Sequence, residues 1–520
     1  MKRSKIWNLI FAAVLLLQLA AEGLTLAIIW RLDVLPAKYN TLVIVVFAML
    51  GLLTGLILFL HGKGKNVGMA RRLIACMLAL VIVCGCAAAS VVASKVYDTL
   101  HEITKQPETG ETRTVYIRVD DPAESLQDAA AYTFGIVENF DAVSTQQAVA
   151  GIESSLGKKI SVISCPSMDA LVDRLYDKTL DAMILNSAYT AILEEEGYAD
   201  FFEKTKILCE VAVEGWSIPD DPINPEQPTD ATESNIPGET EVTEPKAERT
   251  VTNAPFVLYI SGSDTRYSYL PKTSLSDVNI LAVVDPVNKR VLLLNTPRDY
   301  YVKNPAGNGV RDKLTHCGTF GVECSMQALE ELYGIDIDYY ARINFNGFKT
   351  LIDEIGGIAV YSSVDFVRDG VHISKGTNYL NGAEALIFAR ERYQMPNGDN
   401  DRGRNQMKVI KAVIEKVTSG KTIISNYSGI LNSLKGLFTT SFEMDQISQL
   451  VKMQLDDMAS WTIQSYSVTG INGRDVTYCY PSQKLFVMYE DKEQVDHGTY
   501  LIKKVLSGQE LTEEDLKGPQ

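Results

Sequence analysis

The chain has 520 residues, enough for two or three domains, and carries 49 Lys and Arg against 65 Asp and Glu. The resulting net charge of −16 argues against a general nucleic-acid binder and says nothing about fold. Mean hydropathy is near zero, high for a soluble protein, and the first hundred residues account for it.

Three apolar runs stand there, Ile6–Trp30, Thr41–Leu60 and Leu73–Val92. Each is close to the ~20 residues that a helix needs to cross a bilayer. A cleaved signal peptide would account for the first run only. Lys2, Arg3 and Lys5 precede the first run, and Lys63, Lys65, Arg71 and Arg72 separate the second from the third, whereas the loop between the first two holds only Arg31 and Lys38. The positive-inside rule then places the N-terminus in the cytoplasm and everything after Val92 outside. Glu22 lies within the first run, as a functional intramembrane acid or, in the preferred reading, as a contact between helices. Three of the eight cysteines (Cys76, Cys84 and Cys86) fall in the third run. The outer part holds Cys165, Cys209, Cys317, Cys324 and Cys479, where disulfides are permitted. Cys317–Cys324 is the expected pair, Cys165–Cys209 a second option, and the odd number leaves free thiols.

Beyond the membrane, Ser94–Lys105 reads as a helical stalk. From about Thr114 to Gly215, strand-like runs (TVYIRV, YTFGIV, KKISVISC, LDAMILN) alternate with helical ones (Ser144–Leu156, MDALVDRLYDKT, SAYTAILEEE), which predicts a small α/β domain. Its order resembles one lobe of a periplasmic solute-binding protein, without a sharp motif. A ligand-sensing or docking module and a spacer are equally compatible with it. Residues 218–252, rich in Pro, Thr, Glu and Asp, cannot build a core and read as an acidic, disordered linker.

The region 253–507 opens with three short apolar runs, Phe256–Ile260, Asn279–Val284 and Val291–Leu294, with DPVNKR as a tight turn between the last two. If they form an antiparallel meander, Asp264, Arg266, Asp277, Arg298 and Asp299 all reach one edge of one sheet. Carboxylates and arginines gathered there suit a metal ion plus a phosphate. Ser325 is the expected cap of a helix through Leu332. IDIDYYARINF alternates like a strand, and Asn344 or Asn346 opens a helix ended by Gly356 and Gly357. Asn381 and Glu384 form a capping-box pattern before a helix expected to end near Ala389. Arg390 and Arg392 would then share a face of an extended segment with Glu391 turned away, and two guanidinium forks side by side match a pyrophosphate. Asp399 follows. Arg402 and Gln406 lie on one face of an amphipathic helix expected over Arg402–Thr418. His316 and His372 stand alone and read as structural. The remainder to Ser507 is mixed, and residues 508–520 form a polar tail.

In order, the GSDTR at Gly262–Arg266, Asp277 in SDVN, Pro297-Arg298-Asp299, the KLTH at Lys313–His316, DYY, NGF and IGG, LNGAEAL with Arg390 and Arg392, and Asp399, Arg402 and Gln406 resemble the LytR-CpsA-Psr family of bacterial cell-wall ligases. The resemblance covers about 253–507. Two departures stand out: the family's second Arg before Gln406 is Asn405, with Arg404 one position earlier, and the Thr after Asp277 is Val278. The resemblance implies a membrane-embedded phosphotransferase of the Gram-positive cell membrane that takes a glycopolymer, such as teichoic acid or capsule, from a polyprenyl diphosphate carrier to a peptidoglycan hydroxyl. It implies Arg266, Arg298, Lys313, Arg390, Arg392, Arg402 and Gln406 on the pyrophosphate. Asp264 and Asp277 would hold Mg²⁺ or Mn²⁺, and Arg298, Asp299 and Asp399 would act in catalysis, one of the two carboxylates orienting or deprotonating the acceptor. A hydrolase using the same site, and a non-enzymatic regulator, are the alternatives. The expected architecture is thus a three-helix membrane anchor (1–93), an extracellular α/β accessory domain (94–217), the linker, and an extracellular α/β/α catalytic domain (253–507) with a mixed central sheet.

Overall fold

The structure, a computed structural model, describes residues 2–59, 65–105, 110–138, 141–215, 217, 249–265, 269–419 and 421–519. Most of the acidic linker therefore lies outside the described residues. The chain divides into two compact units. One comprises Met1–Gln106, Asn346–Glu391 and Lys408–Thr462, the other Pro107–Phe345, Arg392–Met407 and Ile463–Gln520. Both draw on the stretch that reads in sequence as one catalytic domain.

In the first unit, helices Lys2–Leu32, Ala37–Phe59 and Lys65–Thr104 carry the three apolar runs. All three contain spans long and apolar enough to cross a membrane. The third helix has 40 residues, about 60 Å at the α-helical rise and about twice the hydrocarbon thickness. The expected stalk is thus a continuation of the third span as one rod. Glu22 is buried and accepts a hydrogen bond from Gln18 Nε2 at 2.8 Å. Gly51 of the second helix lies against it, close enough that an added Cβ would sit 3.6 Å from Glu22 Oε2. Glu22 is accordingly an inter-helix contact. At the far ends of these helices, Leu32, Val96, Leu100 and Ile103 pack with Leu431. Thr99 Oγ1 donates to Asn432 Oδ1 at 3.0 Å, and Lys452 pairs with Asp33 at 2.5 Å. Part of the family-like region is therefore seated directly on the anchor.

Among the described residues, the second unit holds two larger sheets and two two-stranded ladders. The N-terminal one runs in the order Ser161–Cys165, Thr133–Val137, Ala182–Leu185, Gly110–Arg118, Thr205–Glu214. Its first three strands are parallel and the last two antiparallel to their neighbours. The other sheet contains, within this unit, Tyr339–Asn344, Phe256–Ser263, Ser276–Asp285, Arg290–Asn295 and Thr462–Ser467 in that order. The meander is antiparallel as expected, and Tyr339–Asn344 joins its first strand in parallel, giving a mixed sheet. The two regions share one buried core that includes Tyr189, Leu193, Phe320 and Cys479. The residue 110–214 region thus packs directly on the meander region.

Several local expectations are corrected. The helix expected from Ser325 runs over Val322–Tyr333, capped by Gly321 at φ 110°, a backbone conformation that only glycine adopts readily, so Ser325 lies inside it and is buried. The helix after the capping box of Asn381 and Glu384 extends through Arg390. The helix expected from Arg402 begins at Asp399, which puts Asp399 and Asp401 in a first turn that favours negative charge. All eight cysteines are free. Cys165 and Cys209 sit on opposite edge strands of a five-stranded sheet, about 19 Å apart at ~4.8 Å per strand. Cys317 and Cys324 are buried thiols, Cys324 donating to Asn304 Oδ1 at 3.5 Å.

Arg113, 2% exposed, pairs with Glu111 at 3.1 Å and with Asp141 at 2.7 Å. Removing the cation would strand two buried carboxylates. Arg113→Ala is expected to cost about 3–5 kcal/mol, seen as a lower melting temperature of the full chain in detergent; an unchanged melting temperature would contradict the assignment.

Candidate active site

The site is built by strand register. In the meander, Ile280 pairs with Asn295. Continuing that antiparallel register by three residues sets Asp277 opposite Arg298, and the side chains meet with Arg298 Nη1 2.9 Å from Asp277 Oδ1. On the other flank, Gly262 pairs with Val278 but Ser263 pairs with Ser276, so Asp277 is the extra residue of a β-bulge. The bulge shows in the side chains: Tyr259 Oη meets both Ser276 Oγ (3.0 Å) and Asn279 Oδ1 (2.6 Å), which an unbroken strand would put on opposite faces. Val278 closes over Gly262, where an added Cβ would lie 2.6 Å from Val278 Cγ2.

The KLTH segment is delivered by a second, two-stranded ladder. Arg311–Lys313 pairs with Tyr301–Lys303, Leu314 N donates to Tyr300 O, and Thr315 N donates to Arg298 O at 2.9 Å. Lys313 then lies 3.4 Å from Asp299. His316 is buried on Asp312 (2.6 Å), which also accepts from Asn304 Nδ2 and Cys479 N, a satisfied structural network. The helix Asp399–Thr418 presents Asp399 and Arg402, 2.6 Å apart. Arg392 donates to Tyr393 Oη at 2.8 Å and lies over that ring. Arg404 is exposed on Asp401 (2.7 Å), and Asn405 is buried with Met395 (3.7 Å). The shifted arginine therefore does not replace the family's second Arg. Gln406 is buried on the same helix. Arg390, exposed, belongs to the first unit and Arg392 to the second. Asp264 directly follows the first meander strand, and Arg266 lies outside the described residues.

Glu195, absent from the sequence expectations, completes the cluster. It is the last residue of the helix Thr190–Glu195 in the N-terminal sheet region, and both its carboxylate oxygens accept from Arg298 Nη2, at 2.9 and 3.0 Å. No motif marks it; it is the second acid of a three-Glu run, 103 residues before its partner.

Opposing charges set the protonation states. Burial disfavours the charged form of Arg298, but Asp277, Glu195 and Asp299 outweigh it and hold the guanidinium pKa above its ordinary value. Burial also pushes Asp299 up, yet Arg298, Lys313 and Arg402 prevail and its carboxyl lies below the usual range. Asp399 goes the other way, raised by burial despite Arg402, with Asp299 adding to the rise. Four buried polar atoms here have unused hydrogen-bonding capacity: Arg298 Nε, Thr315 Oγ1, Asp277 Oδ1 and Asp399 Oδ1. The last two lie close to arginines, but the N–H bonds do not point at them. Unsatisfied donors and acceptors gathered among these charges are compatible with a polar ligand.

Against this geometry, the sequence profile of the LytR_cpsA_psr family matches residues 224–494. The chain belongs to the LytR-CpsA-Psr family. It is 36% identical over 197 residues to a polyisoprenyl-teichoic acid–peptidoglycan teichoic acid transferase, TagU, of Enterococcus faecalis, a stretch covering 38% of this chain and 64% of that protein. With the Bacillus cereus TagU it is 35% identical over 178 residues, 34% of this chain and 58% of the relative. The chain thus spans less than two thirds of the length of these relatives. Among solved structures, Bacillus subtilis TagV aligns at 26% identity over 52% of this chain and 99% of TagV, with a TM-score of 0.41.

The depressed pKa of Asp299 gives a signed expectation. A carboxyl whose folded pKa lies below its unfolded value of about 3.9 contributes stability fully above that value and loses it as pH falls through the folded pKa. The stability gap between wild type and Asp299→Asn should therefore be widest above about pH 4 and shrink on acidification, measured by thermal melts against pH. A gap that widens in acid would contradict the charge network.

Proposed function

We propose that this protein transfers a phosphorylated glycopolymer from a polyprenyl diphosphate to a peptidoglycan hydroxyl. The reading is carried by Arg298, a buried guanidinium at a strand edge with an unused Nε–H; Lys313 and Arg402 share the field of its neighbour Asp299, and Arg392 feels Arg298 itself. Family membership and the TagU relatives support it, and the three apolar helices suit a lipid-linked substrate in a membrane. The N-terminus would lie in the cytoplasm and everything after Val92 outside, where carrier and peptidoglycan are found.

The acceptor hydroxyl oxygen forms a bond to the phosphorus that bears the sugar. The bond from that phosphorus to the bridging oxygen breaks, and the bridging oxygen leaves with polyprenyl monophosphate. Arg298 and Arg402 bind the diphosphate oxygens, with Lys313 and Arg392 adding positive charge, and they stabilise the leaving phosphate. The hydroxyl proton passes to Asp399, whose raised pKa makes it the better acceptor of the two candidate carboxylates. Asp299, held ionised, fixes Lys313 and steadies the cations. Asp264 and Asp277 fit Mg²⁺ or Mn²⁺ in donor chemistry: they are hard carboxylates at the ends of neighbouring strands, and Asp277 Oδ1 has an unused acceptor. Such an ion would neutralise diphosphate charge.

The test is incubation of the full chain with a short-chain polyprenyl-diphosphate sugar, peptidoglycan oligomers and Mg²⁺. Wild type should yield covalent product plus polyprenyl monophosphate. Arg298→Ala and Asp277→Ala should each lower kcat/KM by roughly a hundredfold or more while retaining the wild-type fold by circular dichroism. Full activity in both variants would overturn the site, and free sugar phosphate without adduct would make the protein a hydrolase.

A further inference from the structure

The Arg298–Glu195 contact has no part in that reaction, yet it fills the Nη2 that the diphosphate needs. We infer that Glu195 is an autoinhibitory latch: its carboxylate stands in for a substrate phosphate on Arg298, and the 110–214 sheet region supplies it. This rests on the proposed diphosphate site.

The delivery is structured. The helix Thr190–Glu195 follows a 3₁₀ turn, Ser187–Tyr189, docked on the meander side of the unit. Asn186 Nδ2 donates to Thr319 O and Asn186 Oδ1 accepts from Thr273 Oγ1, both at 3.3 Å. Tyr189 is fully buried, with its ring 6.0 Å from that of Phe320. The adjoining Glu196 accepts from Gln483 Nε2 at a long 3.4 Å on the surface, a contact that the amide oxygen of a glutamine there could equally accept. The helix end is thus held over Arg298 by contacts independent of the ion pair.

The contact is also of a kind that opens. Arg298 is buried, but the Glu195 side chain is 41% exposed, whereas that of Asp277 on the other nitrogen is 15% exposed. A half-exposed ion pair is weak, and solvent can take back the carboxylate. Asp277 is built into the strand and stays; Glu195 ends a six-residue helix, and its part-exposed carboxylate can swing into solvent while the helix stays docked. A diphosphate, with more charge and more acceptor oxygens, competes for the same N–H groups. The apparent affinity of the site is then its intrinsic affinity scaled by the fraction of molecules with the latch open.

The experiment titrates inorganic pyrophosphate into the full chain in detergent by calorimetry, for wild type, Glu195→Gln, Glu195→Ala and Glu196→Gln. If the latch is closed in most molecules, both Glu195 variants should bind about tenfold tighter, with a lower KM for lipid substrate and unchanged kcat. Glu196→Gln removes the same charge without touching Arg298 and should change affinity less than about twofold. Arg298→Ala added to Glu195→Gln should abolish the gain. Equal or weaker binding by both Glu195 variants, or an equal gain in Glu196→Gln, would overturn the latch while leaving the diphosphate site standing. Absence of pyrophosphate binding in every protein would overturn both.

Discussion

The antiparallel register between Ser276–Asp285 and Arg290–Asn295 is the constraint on which the site depends. It brings Asp277 and Arg298 together, and a bulge on the opposite flank frees Asp277 to turn toward the arginine. A shift by one residue would send one of the two to the other face. Around this pair, a short ladder delivers Lys313 and Thr315, and a helix start delivers Asp399 and Arg402. Each anchor is backbone structure, so the cations are held in place before any anion arrives, which is what electrostatic stabilisation of a transferring phosphoryl group requires.

The electrostatics are balanced rather than simply positive. Arg298 meets Asp277, Glu195 and Asp299, and Asp299 in turn is held ionised by Arg298, Lys313 and Arg402. A bare cluster of buried arginines would repel itself; the carboxylates make it foldable. Two acids of the cluster carry further roles in the proposed reaction, Asp277 as a candidate metal ligand and Asp399 as the proposed proton acceptor. Glu195 is the one that comes from outside the family-like region, and it couples the site to the N-terminal sheet.

Much of this was legible in the sequence. β-branched runs of strand length announced the meander, and the short DPVNKR turn fixed which charges reach its edge. The apolar runs announced the three long helices. What stayed hidden has physical reasons. The bulge at Asp277 depends on a pairing partner, Ser263, that no local pattern names. Ser325 looked like a cap because its type suits one, but Gly321 supplied the backbone angle the helix start needed. The one-position shift of Arg404 from the family's arginine was visible in the sequence, but not its consequence: one helical position is a turn of about 100°, and Arg404 stands in solvent on Asp401. Cysteine spacing suggested disulfides, but strand order separates Cys165 from Cys209, which spacing does not encode. Glu195 was beyond reach, because its role is set by tertiary contact over a hundred residues of chain.

The most direct test of the account is a crystal structure of the protein with a short-chain polyprenyl diphosphate bound. Diphosphate oxygens are expected on the Arg298 guanidinium, with Asp277 retained nearby and the Glu195 carboxylate withdrawn. A diphosphate bound elsewhere, with Arg298 still engaged by both Glu195 and Asp277, would contradict it.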